Sequence, residues 1–285
     1  MHPKNIHNSP YNFKILIECV PALEKYVFEN QYGTQTIDFS NPEAVFYLNK
    51  SLLKYHHQVE NWAIPKGYLC PSVPSRADYL YYINDLLKEE GKTKNIKGLD
   101  IGTGANCIYP ILATQLFDWK MVGTDIEEIA IQSAQKNITA QKELKKNIEV
   151  RHQSSNANIF EGIIQENEYF DFTICNPPFH SSKKEAQKAA TSKTKNLKTT
   201  ETLNFGGQSN ELWCNGGEAL FIKRMIKQSV DFKNQVGWFT VLVSKKENLA
   251  RIYSLLTKKN VEYKTIDMEH GNKKTRFVAW QFLSE

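Results

Sequence analysis

From residue 96 onward, short apolar runs rich in β-branched and aromatic residues alternate with segments whose apolar positions recur every three to four residues. The runs predict strands at 96–101, 120–125, 147–152, 170–176, 235–243, 261–268 and 275–283. The helical periodicity predicts helices at 106–117, 127–142, 217–230 and 247–259. Strand–helix alternation with right-handed crossovers implies a doubly wound α/β sheet of seven strands, mostly parallel. Only the six residues Glu269 to Lys274 separate the last two strands, so these must form a hairpin, which leaves one strand antiparallel. Residues 1–60 carry two or three helical patterns and little strand signal. Ser40-Asn41-Pro42-Glu43 opens a helix running to about Tyr55, with proline and an acid in its first turn. Pro71-Ser72-Val73-Pro74 reads as a loop. Ser75 then caps a helix through Tyr79, Leu80, Ile83, Leu86 and Leu87 that stops at Gly91. The chain thus divides into a helical N-terminal extension, 1–92, and an α/β domain, 93–285.

Composition narrows the class. A chain of 285 residues with 41% hydrophobic and 24% charged residues can bury a large core, and no apolar stretch reaches membrane-spanning length. Met1-His2-Pro3-Lys4-Asn5 opens a polar segment without a hydrophobic signal region, so a cytoplasmic location is expected. Five cysteines without a C-x-x-C pair fit a reducing compartment and argue against a disulfide framework or a metal site. The net charge of +5 matters because it is concentrated. Between His180 and Thr200 stand Lys183, Lys184, Lys188, Lys193, Lys195 and Lys198 against the single acid Glu185, a local excess equal to that of the whole chain. Lys273, Lys274 and Arg276 form a smaller basic knot. Such fields suit a polyanionic partner; the alternative is a solvated loop.

Three motifs carry chemistry. Asp100-Ile101-Gly102-Thr103-Gly104-Ala105-Asn106 follows the first sheet strand and opens a helix, where Gly102 and Gly104 permit a tight turn and close backbone approach to a ligand. A bare glycine turn is the competing reading, because the third glycine of a dinucleotide fingerprint is missing. Asp125 ends the next strand, where an acid accepts hydrogen bonds from ribose hydroxyls or caps the following helix. Together they favour a nucleoside cofactor, and without a Walker lysine nucleotide hydrolysis is disfavoured. The third motif is Ile174-Cys175-Asn176-Pro177-Pro178-Phe179. Two prolines cannot continue a strand, so the chain leaves the sheet at Asn176 in a stiff turn that presents an amide, a carbonyl and a ring at one place. Cys175 reads as a small core residue.

With a nucleoside site beside it, Asn-Pro-Pro-Phe resembles the signature of methyltransferases that modify planar amino groups, and the sheet order resembles the Rossmann-like, class I enzymes that use S-adenosyl-L-methionine (SAM). The resemblance extends to His2-Pro3-Lys4-Asn5, Tyr11-Asn12-Phe13, Pro71 through Tyr79, Asp100 through Pro110, Asn204-Phe205-Gly206-Gly207 and Glu211-Leu212-Trp213-Cys214. Jointly these blocks are similar to the bacterial 23S ribosomal RNA adenine-N6 methyltransferases, relatives of a eukaryotic small nuclear RNA methyltransferase. The resemblance implies transfer of a methyl group from SAM to the N6 amine of one adenine, adenine 1618 in that family. It implies SAM contacts from Arg76, Asp100, Gly102, Gly104, Asn106, Asp125, Asn156 and Asn176, with Arg76 pairing with the methionyl carboxylate or merely bracing its helix. Ile159 or Phe160 would support the cofactor's adenine. Asn176, Pro177, Pro178 and Phe179 would hold the target base. Lys4, the six lysines of 181–202 and the Lys273, Lys274, Arg276 knot would meet RNA phosphates. Trp213 would gate the pocket or pack.

The expected partner is 23S rRNA or a partly assembled large ribosomal subunit, with the enzyme acting as a monomer, without metal or membrane. The chain's end soon after its seventh strand favours the bacterial branch, since the eukaryotic relatives carry further RNA-binding regions. Other readings share parts of this pattern: N6 methylation of another structured RNA or of DNA, methylation of a protein glutamine, and a non-catalytic RNA-binding module. The glutamine enzymes carry tyrosine after the prolines and gain nothing from a lysine-rich segment.

Overall fold

The computed structural model describes residues 1–178, 216–270 and 273–283. Two very short strands, β1 (Val27–Glu29) and β2 (Gln35–Ile37), pair as a hairpin near the N-terminus. The main sheet holds β3 (Lys97–Ile101), β4 (Lys120–Asp125), β5 (Ile148–His152), β6 (Phe170–Cys175), β7 (Val236–Leu242), β8 (Glu262–His270) and β9 (Lys273–Gln281). The spatial order is β5-β4-β3-β6-β7-β9-β8. Every neighbouring pair from β5 to β7 is parallel, and β9 runs antiparallel to both β7 and β8. The seven-stranded, mostly parallel sheet expected from the alternation is therefore present. Its direction of winding reverses between β3 and β6, so their carboxyl ends open side by side. That crevice is where such sheets bind ligands.

Helices cover both faces. On one lie α3 (Val73–Glu89), α4 (Ile108–Phe117), α5 (Glu128–Thr139) and α6 (Lys142–Asn147); on the other lie α7 (Gly217–Ser229) and α8 (Leu249–Lys258). Along β9 the side chains alternate between the layers: Phe277 and Ala279 join the first, Val278 and Trp280 the second. Phe13 and Leu16 of α1 (Phe13–Cys19) and Leu48, Leu52 and Leu53 of α2 (Pro42–His57) belong to the same apolar cluster as Ile111, Phe172 and Trp238. Gly98 in β3 admits the Phe172 ring, since a Cβ there would lie 2.3 Å from it.

Four boundaries depart from the sequence reading. The β1–β2 hairpin was not expected, because strands of three residues leave no alternation to detect. Its turn is held by Asn30 Oδ1, which accepts from the amides of Tyr32 and Thr34, and by Gly33 at φ +73°. Helix α3 starts at Val73 after an Ser72 cap rather than at Ser75. Pro74 sits in its first turn, where a missing N–H costs nothing. The segment predicted as one helix over 127–142 is split into α5 and α6. Finally, β8 and β9 approach each other more closely than expected, at His270 and Lys273.

Candidate active site

Strand register brings the site together. Ile101 of β3 pairs with Cys175 of β6, so the glycine turn and Asn176 leave the sheet as neighbours. Gly102 (φ +74°) and Gly104 (φ +65°) adopt left-handed backbone that only glycine enters without strain. The Thr103 amide between them donates to the Thr124 carbonyl at 2.8 Å, folding the turn back over β4. Gly123 makes room for it, because a Cβ there would sit 3.0 Å from Thr103 Oγ1.

Asp125 then locks the turn. Its Oδ2 accepts the Gly104 N–H at 2.9 Å and its Oδ1 accepts the Glu127 N–H at 3.0 Å. Burial raises the Asp125 pKa, and the Glu127 and Gly104 N–H groups oppose that rise. The side chain thus ties the glycine turn to the start of α5, while each oxygen keeps a lone pair. Asn106 also works as a brace. Its Oδ1 accepts the Ile108 N–H, its Nδ2 donates to the Leu69 carbonyl, and its own carbonyl accepts from Trp62 Nε1.

These elements wall a cleft of about 360 Å³. Among the residues singled out in the sequence, Arg76, Gly102, Gly104, Asn106, Asp125, Asn156, Ile159, Asn176, Pro177 and Pro178 line it. Asp100 is fully buried beside the cleft rather than on its surface. Phe160, also fully buried, lies in the apolar layer behind Ile159 and does not line the cleft. Phe179, Trp213 and the lysines Lys183, Lys184, Lys188, Lys193, Lys195 and Lys198 lie outside the described residues. Thr103, Tyr109, Glu127 and Gln153 also line the cleft and were not anticipated. Glu127 stands two residues after Asp125 and accepts from the Tyr68 hydroxyl at 3.1 Å. On the far wall, Arg224 Nη1 donates to the Asn156 carbonyl, and Gln228 bonds to both Ala157 and Ile159, so α7 holds the 156–159 loop.

One end of the cleft is chemically unfinished. Among the described residues, six buried side-chain polar atoms lack a hydrogen-bond partner, and five belong to Asp100 (both oxygens), Thr103, Tyr109 and Asn176. No carboxylate among the described residues pairs with Arg76, whose guanidinium carbon lies 5.4 Å from the Tyr109 ring centre. Buried polar atoms are normally satisfied, so their concentration here marks a place for a polar ligand. Arg76 and the two hydroxyls suit a charged, amino-acid-like group, while the apolar side chains of Ile126, Ala130 and Ile159 in the cleft wall suit a flat ring.

The N-terminal residues support this end. The His2 N–H donates to Asp78 Oδ1 at 2.6 Å. Asn5 Nδ2 donates to the same oxygen at 3.0 Å and to the Pro74 carbonyl at 3.1 Å. The His2 ring stacks on Tyr81. Residues 2–5 therefore brace the first turns of α3, which carry Arg76. Lys4 is exposed on this strap. Lys274 is also exposed but pairs with Glu269 at 2.9 Å, and both Lys274 and the chain's N-terminal ammonium help to lower the pKa of Glu269. The chain's first residue thus lies within electrostatic reach of Glu269, near the end of β8. Arg276 is mostly covered, held by Asp267 and the Val243 carbonyl, and of Lys273 only the backbone is described. Among the described residues no helix is long and apolar enough to cross a membrane, and no group of three or more His, Cys, Asp or Glu side chains could hold a metal ion.

Comparison with known proteins agrees with this architecture. A family model described as RNA methyltransferase matches residues 1–284. The ribosomal RNA large subunit methyltransferase F of Christiangramia forsetii is 61% identical over 284 residues, covering 99% of this chain and 100% of that protein. The protein of the same name from Flavobacterium psychrophilum is 51% identical, covering 100% and 94%. Among solved structures, the hMettl16 catalytic domain in complex with the MAT2A 3'UTR hairpin 6 superposes with a TM-score of 0.84 at 29% identity, covering 100% of this chain and 98% of that one. The N-terminal domain of human METTL16 in complex with SAH gives 0.80 at 28% identity, covering 100% and 99%. With a family model spanning nearly its whole length and relatives this close, the chain belongs to the RNA methyltransferase family, among the ribosomal RNA large subunit methyltransferases.

Proposed function

We propose that the chain transfers a methyl group from SAM to the N6 amine of one unpaired adenine in 23S rRNA. The observation that carries this reading is Asn176 Oδ1, a buried acceptor without a partner among the described residues, on a proline-stiffened turn beside the glycine turn. An adenine amine is a weak nucleophile, because its lone pair is delocalised into the ring. Asn176 Oδ1 and the Pro177 carbonyl can accept its two N–H bonds and favour a pyramidal nitrogen with its lone pair aimed along the cleft. SAM supplies an electrophilic methyl on a sulfonium. The amine's electron pair would take that methyl as the sulfonium becomes a neutral thioether, with Asn176 Oδ1 and the Pro177 carbonyl holding the nitrogen while an N–H proton passes to solvent. No strong base is required, so positioning and fixed dipoles carry the step.

The residues present fit the cofactor. Arg76 would pair with the methionyl carboxylate as a bidentate partner, Asp125 and Glu127 would accept from ribose hydroxyls, and Ile159 would back the adenine; all four line the cleft. Asn156 also lines the cleft. The hMettl16 domain was solved with an RNA hairpin and the METTL16 domain with SAH, which supports an RNA substrate and this cofactor. Residues 1–92, with Lys4 on their strap, and the hairpin bearing Lys274 would offer RNA a positive rim beyond the carboxyl ends of the strands. The target must be flipped out or single-stranded, because N6 is paired and stacked in a duplex.

Mass-spectrometric mapping of rRNA from cells with and without the gene tests the reading. Loss of one N6-methyladenosine in 23S rRNA, restored by the wild-type gene and not by an Asn176→Ala allele, is expected. An identical modification map in both strains overturns it.

Asp125→Ala separates two roles of one carboxylate. Losing a charged acceptor for two backbone amides should cost about 1.5–3 kcal/mol for each bond, seen as a lower urea midpoint. If ribose is also bound there, calorimetry should show SAM affinity falling at least tenfold. A destabilised variant with unchanged SAM affinity would leave Asp125 as a brace alone.

A further inference from the structure

Two tyrosines meet beside the methionyl end of the cleft, and the fold treats their hydroxyls differently. Tyr79 and Tyr109 pack edge to face, with ring centres 5.8 Å apart. Tyr79 is a core residue, and its hydroxyl is satisfied by Thr240 Oγ1 at 2.7 Å. Tyr109 is almost as deeply buried, at 4% exposure, yet among the described residues its hydroxyl completes no hydrogen bond of normal geometry, and the Arg76 guanidinium close beside it can only donate, which leaves the phenol proton unplaced. A buried phenol normally finds a partner, so one left without it is costly unless a ligand completes it. Tyr109 lines the cleft, whereas Tyr79 does not.

We propose that the Tyr109 hydroxyl donates to the cofactor's methionyl carboxylate alongside Arg76, and that it thereby distinguishes SAM from nucleosides lacking that carboxylate. This rests on the SAM reading above. Tyr109 sits in the first turn of α4, directly after the glycine turn, so the element that receives the cofactor also aims the phenol. Its ring is fixed between Tyr79 and the Arg76 guanidinium, which leaves the hydroxyl little freedom of direction. Burial raises its pKa above the ordinary value, so the group stays protonated and acts as a donor. The guanidinium and the phenol together offer a carboxylate donors from two directions. Thr103 Oγ1, which lines the cleft and likewise completes no hydrogen bond of normal geometry among the described residues, remains for the neighbouring ammonium.

Tyr109→Phe removes only the oxygen and keeps the ring contacts. Calorimetry on the full chain should show SAM binding weakened about tenfold to a hundredfold, as for a lost hydrogen bond to a charged group. Binding of decarboxylated SAM and of 5′-methylthioadenosine should be unchanged. The melting temperature without ligand should not fall, because an unsatisfied buried hydroxyl is being removed. Equal weakening for all three ligands, or a lower melting temperature, would make the hydroxyl structural and overturn the proposal. Unchanged SAM affinity, or a loss that persists with decarboxylated SAM, would also overturn it. A wild-type chain that binds none of the three defeats the cofactor reading itself, an outcome distinct from a failure at Tyr109.

Discussion

Asn176→Ala is expected to lower single-turnover methyl transfer by about two to three orders of magnitude while SAM affinity stays within a few-fold of wild type. That is the loss seen when one preorganised partner of a developing charge is removed. The expectation follows from where the atom sits. Cys175 ends β6 in register with Ile101, and Pro177 and Pro178 fix the backbone immediately beyond. Asn176 Oδ1 is therefore held rigidly, is buried, and has no partner among the described residues. Its hydrogen bond is available to a substrate amine and is strongest when the nitrogen becomes positive during transfer. Alanine leaves the prolines and the sheet unchanged, so folding and the cofactor pocket should survive. Rapid-quench kinetics and SAM calorimetry on the same preparation read the two quantities separately. Transfer within a few-fold of wild type removes Asn176 from the chemistry. An equal loss in SAM affinity reassigns it to the cofactor.

Much of this site was legible in the sequence because its chemistry is written in residues with unusual backbone demands. Gly102 and Gly104 mark a left-handed turn, and Pro177 and Pro178 mark the end of a strand. The strand–helix alternation places both at the same edge of the sheet. Asp125 was legible as an acid ending a strand that could cap the next helix, but its bond to the Gly104 amide was not, because that depends on how the turn folds back over Gly123. Tyr109 and Thr103 carried no signal. A tyrosine inside an apolar helix pattern reads as core, and only the absence of a hydroxyl partner sets it apart from Tyr79. The β1–β2 hairpin was hidden for another reason: three-residue strands are defined by the turn between them rather than by their own pattern. Arg276 looked like a free cation by its neighbours in sequence, whereas Asp267 on β8 and the Val243 carbonyl just beyond β7 hold it from the two flanking strands. Such cross-strand pairings cannot be read from local charge.

Asp100→Asn is expected to change how stability depends on pH. Asp100 is fully buried, and among the described residues neither oxygen completes a hydrogen bond of normal geometry, although the Thr103 hydroxyl lies close enough to act on it. Burial pushes its pKa up to about 7; Thr103 and Arg76 oppose the rise, and Asp125 adds to it. Tyr79, Tyr109 and Cys107 also surround it, all with pKa values raised by burial and hence neutral near pH 7. In the unfolded chain the same carboxyl ionises near its ordinary value of about 3.9. Between these two values the folded protein holds a proton that the unfolded chain has lost. The stability that Asp100 contributes is thus full below about pH 4 and disappears as pH rises to about 7. A displacement of roughly three pH units corresponds to about 4 kcal/mol at most. Asparagine has the same shape and does not titrate, so the variant should gain on wild type by up to that amount between pH 4 and pH 8. Urea unfolding at several pH values, with the difference between the two proteins as the readout, cancels the other titrating groups. Parallel profiles would show that Asp100 is not held protonated in the fold. A difference that grows with pH would show that the protein gives up stability beside its cofactor cleft to keep an acid there, a cost that ligand binding can offset and core packing alone does not explain.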